Sequence, residues 1–168
     1  AGGYLEARAC YTTNAFKMPS NQGSEYRTIH LGTDFWLPAG TEVAAIYQGK
    51  VYAVHDNAIS KDYGPTVILE HEYVLGRCFY TLYGHLNRAC LERLKVGQNI
   101  NAGQVFAQLG TPLENGGWIP HLHFQIILDM LGREHNFPGV ACPSQKAVWA
   151  SLCPDPNCLF QLESLVPV

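Results

Sequence analysis

Between Gly64 and Leu86 the apolar positions fall into two short runs, "TVIL" and "CFYTLY", parted by "EHEYVLGR". β-branched, aliphatic and aromatic residues dominate both, the types that suit a pleated, half-buried surface. The stretch predicts an antiparallel hairpin turning near Gly76. Thr41 to Asp56, "TEVAAIYQGKVYAVHD", reads as strand, tight turn at Gly49 and strand. Leu94 to Gly110 carries glycines at 97, 103 and 110 and reads as short strands joined by sharp turns, the pattern of a small barrel or sandwich. "HLHFQIILDML" from His121 is the last clear strand. Helix signals are confined to Arg88–Leu94 and Ser144–Cys153, the second with Pro143 and Ser144 at its start and Pro154 just past its end.

A length of 168 residues predicts one domain with a single core. The pattern divides it into an N-terminal arm (1–27), a β core (28–130) and a C-terminal loop and helix extension (131–168), both ends being expected to lie peripheral to the core. The net charge of -3, with no cluster of Lys or Arg, offers no basic face and argues against nucleic acid as a partner. No apolar run reaches the roughly 18 residues of a membrane helix, so no membrane partner is expected. Ala1 opens the chain without Met and without a charged-then-apolar leader, which reads as processing or as a piece of something longer. Six cysteines occur with no Cys-x-x-Cys pair, so a zinc ribbon is not expected. A chain this long does not need bridges, and free thiols are the expectation, with Cys142, Cys153 and Cys158 the candidates for any pairing.

The chemistry concentrates on histidine. Residues two apart on a strand share a face. His121, His123 and Gln125 therefore share one face, while Leu122, Phe124 and Ile126 share the other and can enter the core. Two imidazoles aimed to one side either address a metal and a substrate beside it or meet water at a sheet end. "HLGTDFW" sets His30 and Asp34 four apart; a straight strand would separate them by roughly 13 Å, so a shared site requires a bend, which Gly32 permits. His85 follows Gly84 at the end of an aromatic strand. His, Asp and further His at strand ends form a donor set that suits zinc, which takes three protein ligands in catalytic sites and keeps a fourth position open. His55, His71 and His135 are expected on the surface. Gly116 and Gly117 are expected to turn the chain before the His-x-His strand, and Trp36 and Trp118 either wall a cleft or belong to core or rim.

The motifs "HLGTDFWLPAGTEV", "YTLYGHL", "KVGQNINAGQVFAQLG" and "PHLHFQI", in this order over about residues 30–127, resemble the lysostaphin/LytM-type zinc endopeptidases. The resemblance implies an all-β fold: an antiparallel β-sandwich or barrel-sandwich hybrid, with one or two short peripheral helices. It implies one zinc ion held by His30, Asp34 and His123, with His85 and His121 acting on water and substrate. The expected activity is zinc-dependent hydrolysis of a peptide bond by a metal-activated water, in a bacterial peptidoglycan-type or small peptide substrate. His121 is the expected general base; His85 would steady the oxyanion or protonate the leaving amine.

"YLEARACYTTNAF" and "ACPSQKAVWASLCPDPN" resemble a subset in which such a domain is covalently linked to neighbouring domains, including a class III aminotransferase. That context implies a cytoplasmic protein; without it a secreted or periplasmic one is expected. The alternative reading is a non-catalytic metal-binding or regulatory module of a larger enzyme. "GQNINAGQVFAQLG" is also similar to lipoyl and biotinyl carrier domains, but no Lys stands at a Gly-rich tip.

Overall fold

A computed structural model describes residues 1–11, 13–20 and 23–162. The described residues form strands β1 (Lys17–Ser20), β2 (Gly23–Tyr26), β3 (Ile29–His30), β4 (Thr33–Phe35), β5 (Glu42–Ala44), β6 (Gly49–Asn57), β7 (Gly64–Val74), β8 (Arg77–Gly84), β9 (Asn99–Ile100), β10 (Val105–Gln108), β11 (Leu122–Ile127) and β12 (Val140–Ala141). Helices are short: α1 (Ala89–Arg93), α2 (Lys146–Leu152) and α3 (Asn157–Phe160). The fold is all-β and antiparallel, as expected.

Its centre is a six-stranded sheet in the order β4-β11-β8-β7-β6-β9. The hairpin expected from Gly64 to Leu86 is β7–β8, and Gly76 sits at its tip with φ 74°, a conformation glycine adopts without penalty. Strand alternation sorts the sheet's side chains between two core clusters. Val67, Leu69, Tyr83, Phe124 and Ile126 face one side, closed by β5, β10 and α1 through Val43, Phe106 and Cys90. Ile68, Leu82 and Ile127 face the other, closed by Ile29, Leu31, Met130, Phe137 and Cys153.

That second cluster corrects the expectation that both chain ends are peripheral. Phe137, Ala141 and Cys153 are buried in it, with Leu5 and Trp149 packed against them. The reason is geometric. A sheet with apolar side chains on both faces must be covered on both, and β5, β10 and α1 cover only one.

The expected hairpin around Gly49 is not formed. β5 pairs with β10, while β6 pairs with β7 and β9. Gly49 opens β6 instead of making a turn: a Cβ there would lie 2.5 Å from the Glu70 carbonyl and 2.7 Å from His71 Nδ1. His71 is likewise displaced from the surface where it was expected. It is 2% exposed, donates from Nδ1 to the Gln48 carbonyl at 2.8 Å and accepts the Thr81 hydroxyl at Nε2 at 2.7 Å. The flanking carboxylates Glu70 and Glu72 suggested a solvated face, but Gln48, Tyr47 and Phe79 close over the His71 ring. All six cysteines are free, and His55 and His135 are exposed, as expected.

Candidate metal centre

The register of the sheet assembles the site. Across β4–β11, Asp34 lies opposite His123; across β11–β8, His123 lies opposite Gly84, with His85 the next residue along. His30 precedes a break in the strand at Leu31 and Gly32 and pairs with Val140 on β12, outside the main sheet. The anticipated bend is thus present, and Gly32 is required for a further reason. A Cβ there would stand 2.5 Å from the Phe124 carbonyl and 2.7 Å from His123 Nε2, so glycine is what lets the His123 ring lie flat under the kink.

Three donor atoms converge. His30 Nε2 is 2.9 Å from His123 Nδ1 and 3.2 Å from Asp34 Oδ1, and His123 Nδ1 is 3.1 Å from the same Oδ1. Ligands held at about 2.0–2.1 Å around a tetrahedral zinc ion lie about 3.3 Å apart, so this triangle has nearly the edge length of one face of that tetrahedron. Its protonation state also fits a cation. His30 donates its Nδ1–H to the Gly3 carbonyl at 3.2 Å, and His123 donates its Nε2–H to Gln125 Oε1 at 3.0 Å. The Gln125 amide cannot be reversed without loss, because its nitrogen donates to the Pro138 carbonyl and to Cys153 Sγ. In these tautomers each ring turns its other nitrogen inward. Two lone pairs and a carboxylate oxygen meet with no donor between them, an arrangement that favours a positive ion.

Asp34 is 2% exposed. Burial opposes its charge, but positive charge and hydrogen bonds from the His30 and His123 side, the role a bound cation would take over, hold its pKa well below the ordinary 3.8, so it stands as a carboxylate. Burial also lowers the pKa of His123, as a metal ligand requires.

The remaining two histidines follow the same rule. His85 donates its Nδ1–H to the Asn115 carbonyl at 2.9 Å, and His121 donates its own to the Ile119 carbonyl at 2.6 Å. Their ring centroids are 4.1 Å apart, and His121 Nε2 is 4.0 Å from Asp34 Oδ1. Burial lowers the pKa of both, that of His85 further, so both are neutral and present bare Nε2 atoms. His85 also has φ 63°, a left-handed conformation uncommon for non-glycine residues.

The five side chains open into a cleft of about 820 Å³. Trp36 and Trp118 both wall it, with ring centroids 6.5 Å from His121 and 6.3 Å from His85 respectively. Gly116 and Gly117 make the expected turn with φ 86° and 81°. Three contributors had no signal in sequence. Tyr63 lies against His123 and His85 at 5.1 and 5.8 Å, with its hydroxyl buried and without a hydrogen-bond partner. Asn115, fully buried, fixes the loop whose carbonyl holds His85. Arg8, from the N-terminal arm, bonds the far oxygen of Asp34.

The antiparallel sheet aims a His/Asp/His triangle and two further imidazoles into one cleft, a donor set that could hold a metal ion. The chain belongs to peptidase family M23, whose profile matches residues 28–135. Peptidoglycan DD-endopeptidase ShyA of Vibrio cholerae is 30% identical over 99 residues, 59% of this chain and 20% of that protein, so the chain spans about a fifth of that relative's length. Among solved structures, the catalytic domain of the prophage-encoded M23 protein EnpA from Enterococcus faecalis is similar with a TM-score of 0.50 and 26% identity, covering 66% of this chain and 77% of that one. The catalytic domain of the antimicrobial peptidase lysostaphin from Staphylococcus simulans gives a TM-score of 0.48 and 26% identity, covering 70% and 77%.

Proposed function

We propose that this chain is a zinc metallopeptidase that hydrolyses a peptide bond of peptidoglycan or of a similar small peptide. His30, Asp34 and His123 hold one zinc ion. The ion, when bound, lowers the pKa of a coordinated water toward ~7 and polarises the scissile carbonyl. Support comes chiefly from one observation: three inward-facing acceptors at 2.9–3.2 Å from one another, with two more bare imidazole nitrogens beside them.

The residues divide the remaining work. His121 Nε2, 4.0 Å from the Asp34 oxygen, takes the proton of the attacking water. Its Nδ1–H stays on the Ile119 carbonyl, so the ring keeps its orientation as its charge changes. His85 is an acceptor at rest for the same reason, and donates to the oxyanion or the leaving amine only after it gains a proton. The 4.1 Å between the two rings makes it costly for both to be charged at once, so one proton serves the pair. Trp36 and Trp118 give the cleft apolar walls that exclude water around the reacting carbonyl.

The test is digestion of purified peptidoglycan fragments with zinc-loaded protein, read by mass spectrometry of the products. Cleavage of a peptide bond, abolished in His121→Ala with zinc retained, is the expected result. A folded, zinc-loaded chain that cleaves neither peptidoglycan fragments nor a peptide library would favour a binding module instead.

A further inference from the structure

The arm that precedes the M23 core runs antiparallel beside residues 28–34 and meets the metal-binding segment through two isolated bridges, Gly2 with Asp34 and Ala7 with Ile29. Gly2 N–H donates to the Asp34 carbonyl at 2.6 Å, Leu5 N–H to the His30 carbonyl at 2.8 Å, and Arg8 N–H to the Thr28 carbonyl at 2.8 Å; in return His30 N–H donates to the Glu6 carbonyl at 3.0 Å. The Tyr4 hydroxyl adds a bond to the Cys153 carbonyl. The arm is therefore anchored at both ends of the His30–Asp34 stretch.

From that position it contacts two of the three donor residues. The Gly3 carbonyl holds His30 Nδ1–H. Arg8 Nη1 donates to Asp34 Oδ2, leaving Oδ1 to face His30 and His123. The guanidinium is itself fixed: Nη1 lies 3.0 Å from the Tyr11 hydroxyl, Nε donates to Glu6 Oε2 at 3.1 Å, and Nη2 is buried under Gly2, where a Cβ would come within 2.7 Å of it. Arg8 is the only Arg or Lys paired with Asp34 among the described residues. A carboxylate this deeply buried is costly to leave unpaired, and an outer partner also decides which of its oxygens points inward.

We propose that Arg8 is a positioning residue of the metal centre, holding Asp34 as a one-oxygen ligand, and that the N-terminal arm is thus a structural part of the zinc site. The inference rests on the zinc reading above. Its effect is a difference of two opposed contributions. The guanidinium repels a cation, but it removes the freedom of Asp34 to rotate or to turn both oxygens inward. With the positive charge on the far side of the carboxylate and bound to it, the ordering contribution dominates.

The test is zinc affinity by competition with a chromophoric chelator, on the full chain, for wild type, Arg8→Met and Arg8→Lys. Arg8→Met keeps an apolar stem and removes every side-chain donor. Its zinc Kd should rise about 10–100-fold, the usual cost of losing an outer partner of a ligand. Arg8→Lys restores a charge and a single donor group without the guanidinium's fork, and should fall between. A folded Arg8→Met that binds zinc within about twofold of wild type overturns the proposal while leaving the zinc site itself standing. A folded wild type that binds no zinc overturns the metal reading and this inference with it. Should Arg8→Met fail to fold, Tyr11→Phe decides. It removes one anchor of the same guanidinium and keeps the ring, so a several-fold weaker Kd supports the proposal and an unchanged one overturns it.

Discussion

The two faces of β11 obey different rules. Leu122, Phe124 and Ile126 enter a cluster with Val67, Leu69 and Tyr83, where contact is apolar and what matters is filled volume. On the opposite face, His121, His123 and Gln125 each commit specific atoms: Nδ1–H to Ile119, Nε2–H to Gln125 Oε1, amide N–H to Pro138 and Cys153. A core face tolerates exchange among apolar shapes of similar size. The site face does not, because one displaced proton turns an inward lone pair into a donor. The same strand is thus robust on one side and exacting on the other.

The contrast can be broken most severely at the ligands. His123→Ala should abolish stoichiometric zinc binding and all detectable hydrolysis, read by metal analysis and product mass spectrometry, while leaving the apolar face of β11 intact. His121→Ala and His85→Ala should lower kcat by about 10²–10⁴-fold with zinc content unchanged; steady-state kinetics beside metal analysis separates these from ligand loss. On the other face, Phe124→Ala should cost about 3–5 kcal/mol in denaturant unfolding, and Phe124→Leu distinctly less, with zinc affinity of the folded fraction unchanged. Gln125→Leu, similar in size, should reverse that profile: modest loss of stability, but a zinc Kd about 10–100-fold weaker because His123 Nε2–H loses its acceptor.

The smallest effect is expected at His71, away from the cleft. Burial lowers its pKa below the ordinary 6.5, so the folded state prefers the neutral ring. The unfolded chain then binds the extra proton first as acid is added. His71 contributes its full stability above the unfolded pKa of 6.5 and loses it progressively as pH falls through and below that value. Thermal melts between about pH 5 and pH 7 should show a flatter acid limb in His71→Gln than in wild type.

The sequence disclosed what depends on short-range order. Runs of β-branched, aliphatic and aromatic residues identified β7 and β8, and period-two alternation separated the two faces of β11. The five residues His30, Asp34, His85, His121 and His123 stood out because each ends or begins a strand in a distinctive context. Gly32 was recognised as a bend, although the structure adds a stronger reason, the ring of His123 beneath it. What stayed hidden is tertiary. Arg8 reaches Asp34 across 26 residues, from an arm whose own sequence shows no periodicity. Gly49 imitated a turn because a glycine demanded by close approach looks the same in sequence as one demanded by a positive φ. His71 imitated a surface residue because its flanking carboxylates, Glu70 and Glu72, are on the opposite face. The C-terminal segment looked peripheral although Phe137 and Cys153 complete the core behind the site.

On the proposed reading, the fold builds one zinc site from His30, Asp34 and His123. Metal analysis of purified wild type and His123→Ala by mass spectrometry tests it most directly. About one zinc per chain is expected in the wild type, lost in the variant while its fold persists. A folded wild type that takes up no zinc even when zinc is supplied would contradict it.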